Sequence, residues 1–366
     1  MAVVRLGRTA AKNVRGSMYE VFLLEKERLF PWLDEIRCGR VMVGPVEEQG
    51  FPAFREPSST HDLRLDYGLT MMGPQTCIYH LTEKVCTIQR TDEGFEIDDT
   101  VTAQDQLLVG VHSCDLHAFL VLDKAFLRGR VIDRNYRIRR EKTVVVGYHC
   151  TSVCSQCFCA SMGTGPFFEP REGYDFLLTD LGDLYMLEAL GERAHGMVAP
   201  LRLHKVEEKH FREKEELRQR LLGQFTKRLD TSRIVEIILR NQNHPVWRRT
   251  ADERCLSCTN CTKVCPTCFC YSTRDLGDFE LKKWDRTRAK DSCQELHFAE
   301  VHGSNFRGIR AARLRQFVTH KLATWWEQFG CFGCIGCGRC MTWCPTHIDL
   351  THMAKEIMAT EGLGMR

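Results

Sequence analysis

Two short apolar runs stand out along the chain, QLLVGVHSC ending at Cys114 and TVVVGYHC ending at Cys150. Both are Val-rich and free of charge, the pattern of strands buried on both faces. Between them, from Asp115 to about Phe126, DLHAFLVLDKAF carries apolar groups at helical spacing. A strand, helix, strand unit is predicted, with parallel strands that leave Cys114 and Cys150 on one sheet edge. Residues Asp175 to Leu190 (DFLLTDLGDLYMLEAL) read as two strands around a Leu-Gly-Asp turn. From Lys205 to Leu229 the chain turns dense in charge with periodic Phe and Leu, an amphipathic helix, and a second helix is predicted around Arg233 to Arg240. Glutamates balance the lysines there, so the stretch reads as a solvated face. The segment from Phe306 to Lys321 gathers Arg307, Arg310, Arg313, Arg315 and Lys321 on one prospective helix. It too is read as a solvated face, or as a basic rim beside a cluster that would raise its potential and dock an acidic partner.

These elements fill 366 residues, enough for two or three domains. The net charge of +3 advertises neither nucleic acid nor an anionic membrane as partner. No run approaches the roughly 18 apolar residues of a membrane span. The start, MAVVRLGRTAAKNVRG, lacks the apolar core of a signal peptide. A soluble, cytoplasmic chain is expected, without membrane insertion. Cysteine changes this ordinary picture: there are 20. Thiols in a reducing compartment point to metal rather than to disulfides.

The cysteines leave a gap between Cys159 and Cys255. Beyond it, CLSCTNCTKVCP supplies Cys255, Cys258, Cys261 and Cys265, and CIGCGRCMTWCP supplies Cys334, Cys337, Cys340 and Cys344. The same C-x2-C-x2-C-x3-C-P spacing thus occurs twice. Three thiolates in one tight loop can cap three corners of a cubane, and the fourth, turned away before the proline, ligates the other cluster. The expected sets are Cys255, Cys258, Cys261 and Cys344 for one 4Fe-4S cluster, and Cys334, Cys337, Cys340 and Cys265 for a second. Zinc sites instead use two knuckles and a long spacer. Gly333, Gly336 and Gly338 let the second loop wrap closely and aim N–H groups at sulfur.

Upstream, CTSVCSQCFC offers Cys150, Cys154, Cys157 and Cys159, with Cys114 on the neighbouring strand. Five candidates compete for four places. A third 4Fe-4S cluster on Cys114, Cys150, Cys157 and Cys159 is the favoured reading, with zinc or metal-free thiols as the alternative. TCFCYS, with Cys268 and Cys270, echoes QCFCAS, and Cys293 follows in KDSCQEL. Three thiols cannot complete a cubane alone, so redox-active or packed thiols compete with a fourth cluster there. Cys38, Cys77, Cys86 and Cys331 receive no role. There is no haem attachment motif, phosphate loop or dinucleotide fingerprint, so no FAD, NAD or haem of its own is expected. His297 and His302 read as surface or capping groups.

Clusters without a substrate pocket suit an electron relay between a two-electron flavin or nicotinamide site and another metal centre. The chained motifs GVHSCDLHAF, RREKTVVVGYHC, QCFCASMGTGP, CLSCTNCTKVCPTCFCYS, KDSCQELHFAEVHGSNFR and CIGCGRCMTWCP resemble the iron-sulfur beta subunit of cytoplasmic sulfhydrogenase-type NiFe hydrogenases. They equally resemble the A subunit of anaerobic sulfite reductase. The resemblance covers roughly residues 105 to 350. It implies a subunit wiring a flavoprotein that binds FAD and NAD(P) to a hydrogenase or sulfite-reductase catalytic subunit. By the same resemblance Cys114, Cys150, Cys157 and Cys159 match the family's upstream cysteines, and Cys268, Cys270 and Cys293 its extra ones. Cys154 and Cys331 are additional.

The expected fold class is α+β. An N-terminal α/β domain (1–200) is followed by a helical connector (201–249) and a ferredoxin-like, α-helical dicluster domain (250–366). The expected function is non-catalytic electron transfer, with no proton or group transfer assigned. The alternative is a disulfide or sulfur reductase in its own right, built on Cys268, Cys270 and Cys293 around a cluster.

Overall fold

A computed structural model describes residues 18–201 and 203–363. The basic start, with its lack of a signal-peptide core, lies outside them. The main strands are β1 (Tyr19–Glu25), β2 (Val41–Glu48), β3 (Phe51–Arg55), β4 (Thr82–Thr91), β5 (Gly94–Asp98), β6 (Gln106–His112), β7 (Thr143–Tyr148), β8 (Phe176–Asp180), β9 (Leu184–Leu190), β10 (His204–Lys205), β11 (Tyr271–Gly277) and β12 (Lys283–Lys290). Eight of them form one mixed sheet in the order β10-β1-β9-β8-β7-β6-β2-β3. The central β2, β6, β7 and β8 run parallel.

The two apolar runs are β6 and β7, and their burial on both faces follows from their pattern. Leu107 and Val109 of β6 pack with Val144, Val146, Trp32 and Leu33 on one face. Leu108 and Val111 pack with Val145, Leu116, Phe119 and Tyr136 on the other. Val109 and Val111 face opposite sides because the register shifts between them, at Gly110 with φ +74°. A bulge of this kind re-aims the side chains beyond it. A Cβ on Gly110 would lie 2.9 Å from Leu65 Cδ2, so bulge and packing both require glycine.

The helix Ser113–Leu127 crosses over from β6 towards β7. It begins directly after His112, so Cys114 sits in its first turn rather than at a strand end. Cys150 lies two residues beyond β7. Both thiols still share the carboxyl edge of the sheet, where β-strand ends deliver functional groups in α/β folds. The stretch from Asp175 to Leu190 is the antiparallel pair β8 and β9, as its pattern predicted. The charged stretch contains the helix Glu208–Gln224, and the next helix is Ile234–Arg240.

A second sheet, ordered β11-β12-β4-β5, pairs strands from the N-terminal and C-terminal parts of the chain. Glu83 of β4 is buried there between Arg139 and Arg288 of β12, and Asn135 Nδ2 donates to it at 2.8 Å. The helices Ile234–Arg240, Pro245–Glu253, Arg310–Thr319 and Leu350–Leu363 enclose a further core built on Ile238, Trp247, Leu314, Val318, Ala354 and Ile357.

One expectation is corrected in this helical part. Arg313 and Lys321 are 5% and 2% exposed and Arg307 and Arg315 are half-buried, so only Arg310 of the five belongs to a solvated face. Arg313 donates to the carbonyls of Arg307 and Gly308, Arg310 to that of Cys255, and Arg315 to that of Gln242. The arginines tie loops inside the chain. A π-helical turn at His320–Thr324 re-phases the helix after Thr319 and includes Lys321. His297 is exposed and meets Glu300 at 2.8 Å, a surface contact as expected.

Candidate metal centre

The first cysteine loop turns back on itself through Ser257 and Thr259, whose φ values are +52° and +69°. This curl brings Cys255, Cys258 and Cys261 to one cavity, where Cys344 arrives from the second loop. Leu314, Phe317, Val318, Ile348 and Met353 complete an apolar lining. Backbone N–H groups point at sulfur, Ser257 to Cys255 at 3.4 Å and Ile348 to Cys344 at 3.3 Å. Burial pushes the Cys261 thiol up, and its thiol neighbours Cys255, Cys258 and Cys344 push it further.

The second loop places Cys334, Cys337 and Cys340 around Cys265, which is the reciprocal contribution of the first. Burial raises the Cys334 thiol to about 12 and that of Cys337 to about 11, with Cys265 adding to both. Cys340 is raised by burial and by Cys334, Cys337 and Cys265. These three crowded, buried thiols resist ionising until a cation compensates them, the electrostatic demand that bound iron answers, whereas contact with Cys268 and the charge of Lys321 hold Cys265 well below the usual thiol value. Gly336 N donates to Cys334 Sγ at 3.4 Å. Lys321, buried against Cys265, Cys268 and Cys334, donates to Thr267 Oγ1 at 2.7 Å, and Thr267 Oγ1 donates to Gly333 O at 2.6 Å.

The upstream thiols meet as well. Cys114, Cys150, Cys154, Cys157 and Cys159 line a single cavity, together with Cys337 of the second loop. All five upstream candidates are therefore present. Cys157 Sγ donates to Cys154 O at 3.0 Å. The second loop is pressed against this site. Phe158 N donates to Gly336 O at 2.7 Å, and Thr164 Oγ1 to Ile335 O at 2.6 Å. Asp115, next to Cys114, is bound through both carboxylate oxygens by Arg339, which lies between Cys337 and Cys340.

Sequence reasoning missed Asp115, Arg339 and Thr267, and named Lys321 only as one member of a basic segment. A charged residue inside a glycine-rich cysteine loop was the available signal for Arg339. The other unassigned thiols are dispersed: Cys38 is exposed, Cys77 and Cys86 are half-buried, and Cys331 lies in a groove with Cys334.

Among the described residues no three Cys, His, Asp or Glu side chains close on a point as one metal ion requires. The first-loop and the upstream thiols each surround a cavity instead. An all-thiol donor set spread around a cavity fits a polynuclear iron–sulfur group.

Residues 254–348 match the family described as 4Fe-4S dicluster domain. The chain is 32% identical over 330 residues to sulfhydrogenase 2 subunit beta of Pyrococcus furiosus, covering 89% of this chain and 93% of that protein. No solved structure matches it. Among the described residues no helix is long and apolar enough to cross a membrane. With its cysteine loops in place and its length spanned almost end to end by that relative, the chain belongs to the family of sulfhydrogenase beta subunits.

Proposed function

We propose that this chain is the iron–sulfur electron-transfer subunit of a multisubunit oxidoreductase, placed between a flavoprotein that binds FAD and NAD(P) and a NiFe hydrogenase catalytic subunit. The observation that carries this reading is the contact between three thiol sites. Cys340 lines the cavity of the first loop, and Cys337 lines that of the upstream thiols. The second loop thus adjoins both neighbours, so the three sites lie in series. Cys255, Cys258, Cys261 and Cys344 are assigned to one cluster, Cys334, Cys337, Cys340 and Cys265 to the second, and Cys114, Cys150, Cys157 and Cys159 to the third. Each 4Fe-4S group exchanges one electron when bound. The chain's own part is to space the thiols, exclude water with apolar walls and set the local charge with Lys321 and Arg339. A cytoplasmic setting and the three-part division at about residues 200 and 250 belong to the same proposal, the β4–β12 pairing acting as a clasp between the outer parts.

The test is anaerobic isolation of the native complex. NAD(P)H should reduce the iron–sulfur absorption of this chain only when a flavin-bearing subunit is present. Turnover of a disulfide or polysulfide by the isolated chain with an artificial reductant, lost on Cys293→Ser, would overturn the relay reading. Within the relay, Cys265→Ser should remove the EPR signal of the second cluster and spare that of the first. Loss of the first alone would refute the exchange of ligands between loops.

A further inference from the structure

Cys268, Cys270 and Cys293 serve none of the three sites above, yet they repeat the upstream one. Cys154, Cys157 and Cys159 are spaced C-x-x-C-F-C, and so are Cys265, Cys268 and Cys270. Each set has a remote Ser-Cys pair, Ser113-Cys114 and Ser292-Cys293. The fold reproduces the repeat in space. The hairpin of β11 and β12 carries the chain away from Cys270 and returns it, with Asp291 N donating to Cys270 O at 2.8 Å. Cys293 is thereby brought beside Cys270, and Cys268 and Cys293 are both buried in the helical core. Each Ser-Cys pair is pinned by its hydroxyl, Ser113 Oγ to Thr164 O at 2.9 Å and Ser292 Oγ to Thr262 Oγ1 at 2.6 Å.

A second observation is the neighbourhood of Cys268. Lys321 and Lys290, 2% and 8% exposed, both lie beside Cys265 and Cys268. Lys321 donates to Thr267 Oγ1 at 2.7 Å and Lys290 to Lys263 O at 2.9 Å. The second cluster uses Cys265 and leaves Cys268 without a role, and a simple dithiol of Cys270 and Cys293 leaves it without one too.

We propose that Cys268, Cys270 and Cys293 hold a further iron–sulfur cluster through three thiolates, adjoining the second loop at Thr267 and Gly333. With three thiolates, one corner carries no protein sulfur, so the cluster has either three irons or four with a non-thiol ligand on one of them. The site goes beyond the relay reading, which is tested separately by NAD(P)H reduction.

The experiment compares iron and acid-labile sulfide in the anaerobically reconstituted full chain and in the Cys268→Ser/Cys270→Ser/Cys293→Ser variant. The wild type should hold about 15 to 16 iron, and the variant about 12 with the other EPR signals kept. Equal iron in the two proteins would overturn the proposal. Should the variant fail to fold, native mass spectrometry of the wild type decides. A mass beyond three cubanes supports the site, and a spectrum ending at three refutes it. Recovery of a Cys270–Cys293 disulfide from the loaded protein after acid quenching also refutes it.

Discussion

Arg339 grips Asp115 through two parallel hydrogen bonds, Nη1 to Oδ1 at 2.7 Å and Nη2 to Oδ2 at 2.9 Å, with both side chains 1–2% exposed. Arg339 also donates to Thr70 O at 2.8 Å, so its planar fork is nearly used up. The pair joins the first turn after β6 to the middle of the second cysteine loop. It thus holds the upstream thiols at a set distance from Cys337. Breaking such a pair strands a buried charge and costs about 3–5 kcal/mol. Arg339→Leu and Asp115→Leu should each lower stability by that order in anaerobic denaturant titrations of the loaded chain. The double variant should recover much of the loss, since both charges are gone. Single changes costing under about 1 kcal/mol would mean the pair does not clamp the loops.

Lys321 supplies a positive charge beside Cys334 and Cys265. Reduction adds negative charge to a cluster, so a nearby ammonium stabilises the reduced form. Lys321→Met should therefore lower the potential of the second cluster, on the order of 60 mV, a tenfold change in a one-electron equilibrium. Lys321→Arg should restore most of it. Redox titration followed by EPR makes the measurement, and an unmoved potential in Lys321→Met would show that the lysine only packs.

Glu83 governs a pH response at the sheet that clasps the chain. Burial alone would raise its carboxyl, but hydrogen bonds from Arg139, Asn135 and Arg288 outweigh that and hold it below the usual carboxylate value. A carboxyl depressed on folding contributes stability that is present above its unfolded value and lost as pH falls through the folded one. The wild type should therefore lose stability on acidification below about pH 4.5. Glu83→Gln should be less stable at pH 7 by about 3 kcal/mol, having left Arg139 and Arg288 unpaired, and its stability should depend less on pH in that window. Parallel profiles for the two proteins would contradict the assignment.

The cysteine loops were legible because their chemistry is local: the spacing of Cys255, Cys258 and Cys261 encodes a loop that curls around one cavity. The strands β6 and β7 were legible for the same reason, as a run buried on both faces needs no partner to be identified. Asp115 and Arg339 were not legible as a pair, since 224 residues separate them and only the folded sheet edge brings them together. Arg313 and Lys321 were misread because helical spacing shows which side chains share a face but not what covers it. The π turn at His320 alters that spacing as well. Cys114 was placed at the right edge in the wrong element, because the helix starts without a turn after His112.

Gly336 tests whether close backbone approach, rather than the thiols alone, couples the second loop to the upstream site. Its φ is +66°, which an L-residue adopts at a cost of roughly 1 kcal/mol or more. The larger obstacle is steric. A Cβ at this position would lie 2.7 Å from both Cα and N of Cys159 and 2.8 Å from the carbonyl carbon of Phe158. These are backbone atoms of a loop held by its own hydrogen bond to Gly336 O, so no side-chain rotation relieves the contact. The loops must separate, and Phe158 N loses its acceptor in the process. Gly336→Ala should therefore destabilise the chain by several kcal/mol through strain, overlap and a lost buried hydrogen bond together. It should also deplete iron from the upstream site while the first loop, which makes no part of this contact, keeps its EPR signal. Gly330→Ala is the control: its φ is +64°, but no atom lies within 4 Å of its added Cβ. It should carry the conformational cost alone and leave every cluster in place. Equal damage from the two substitutions would assign the effect to backbone strain and remove the case for a contact-coupled pair of sites.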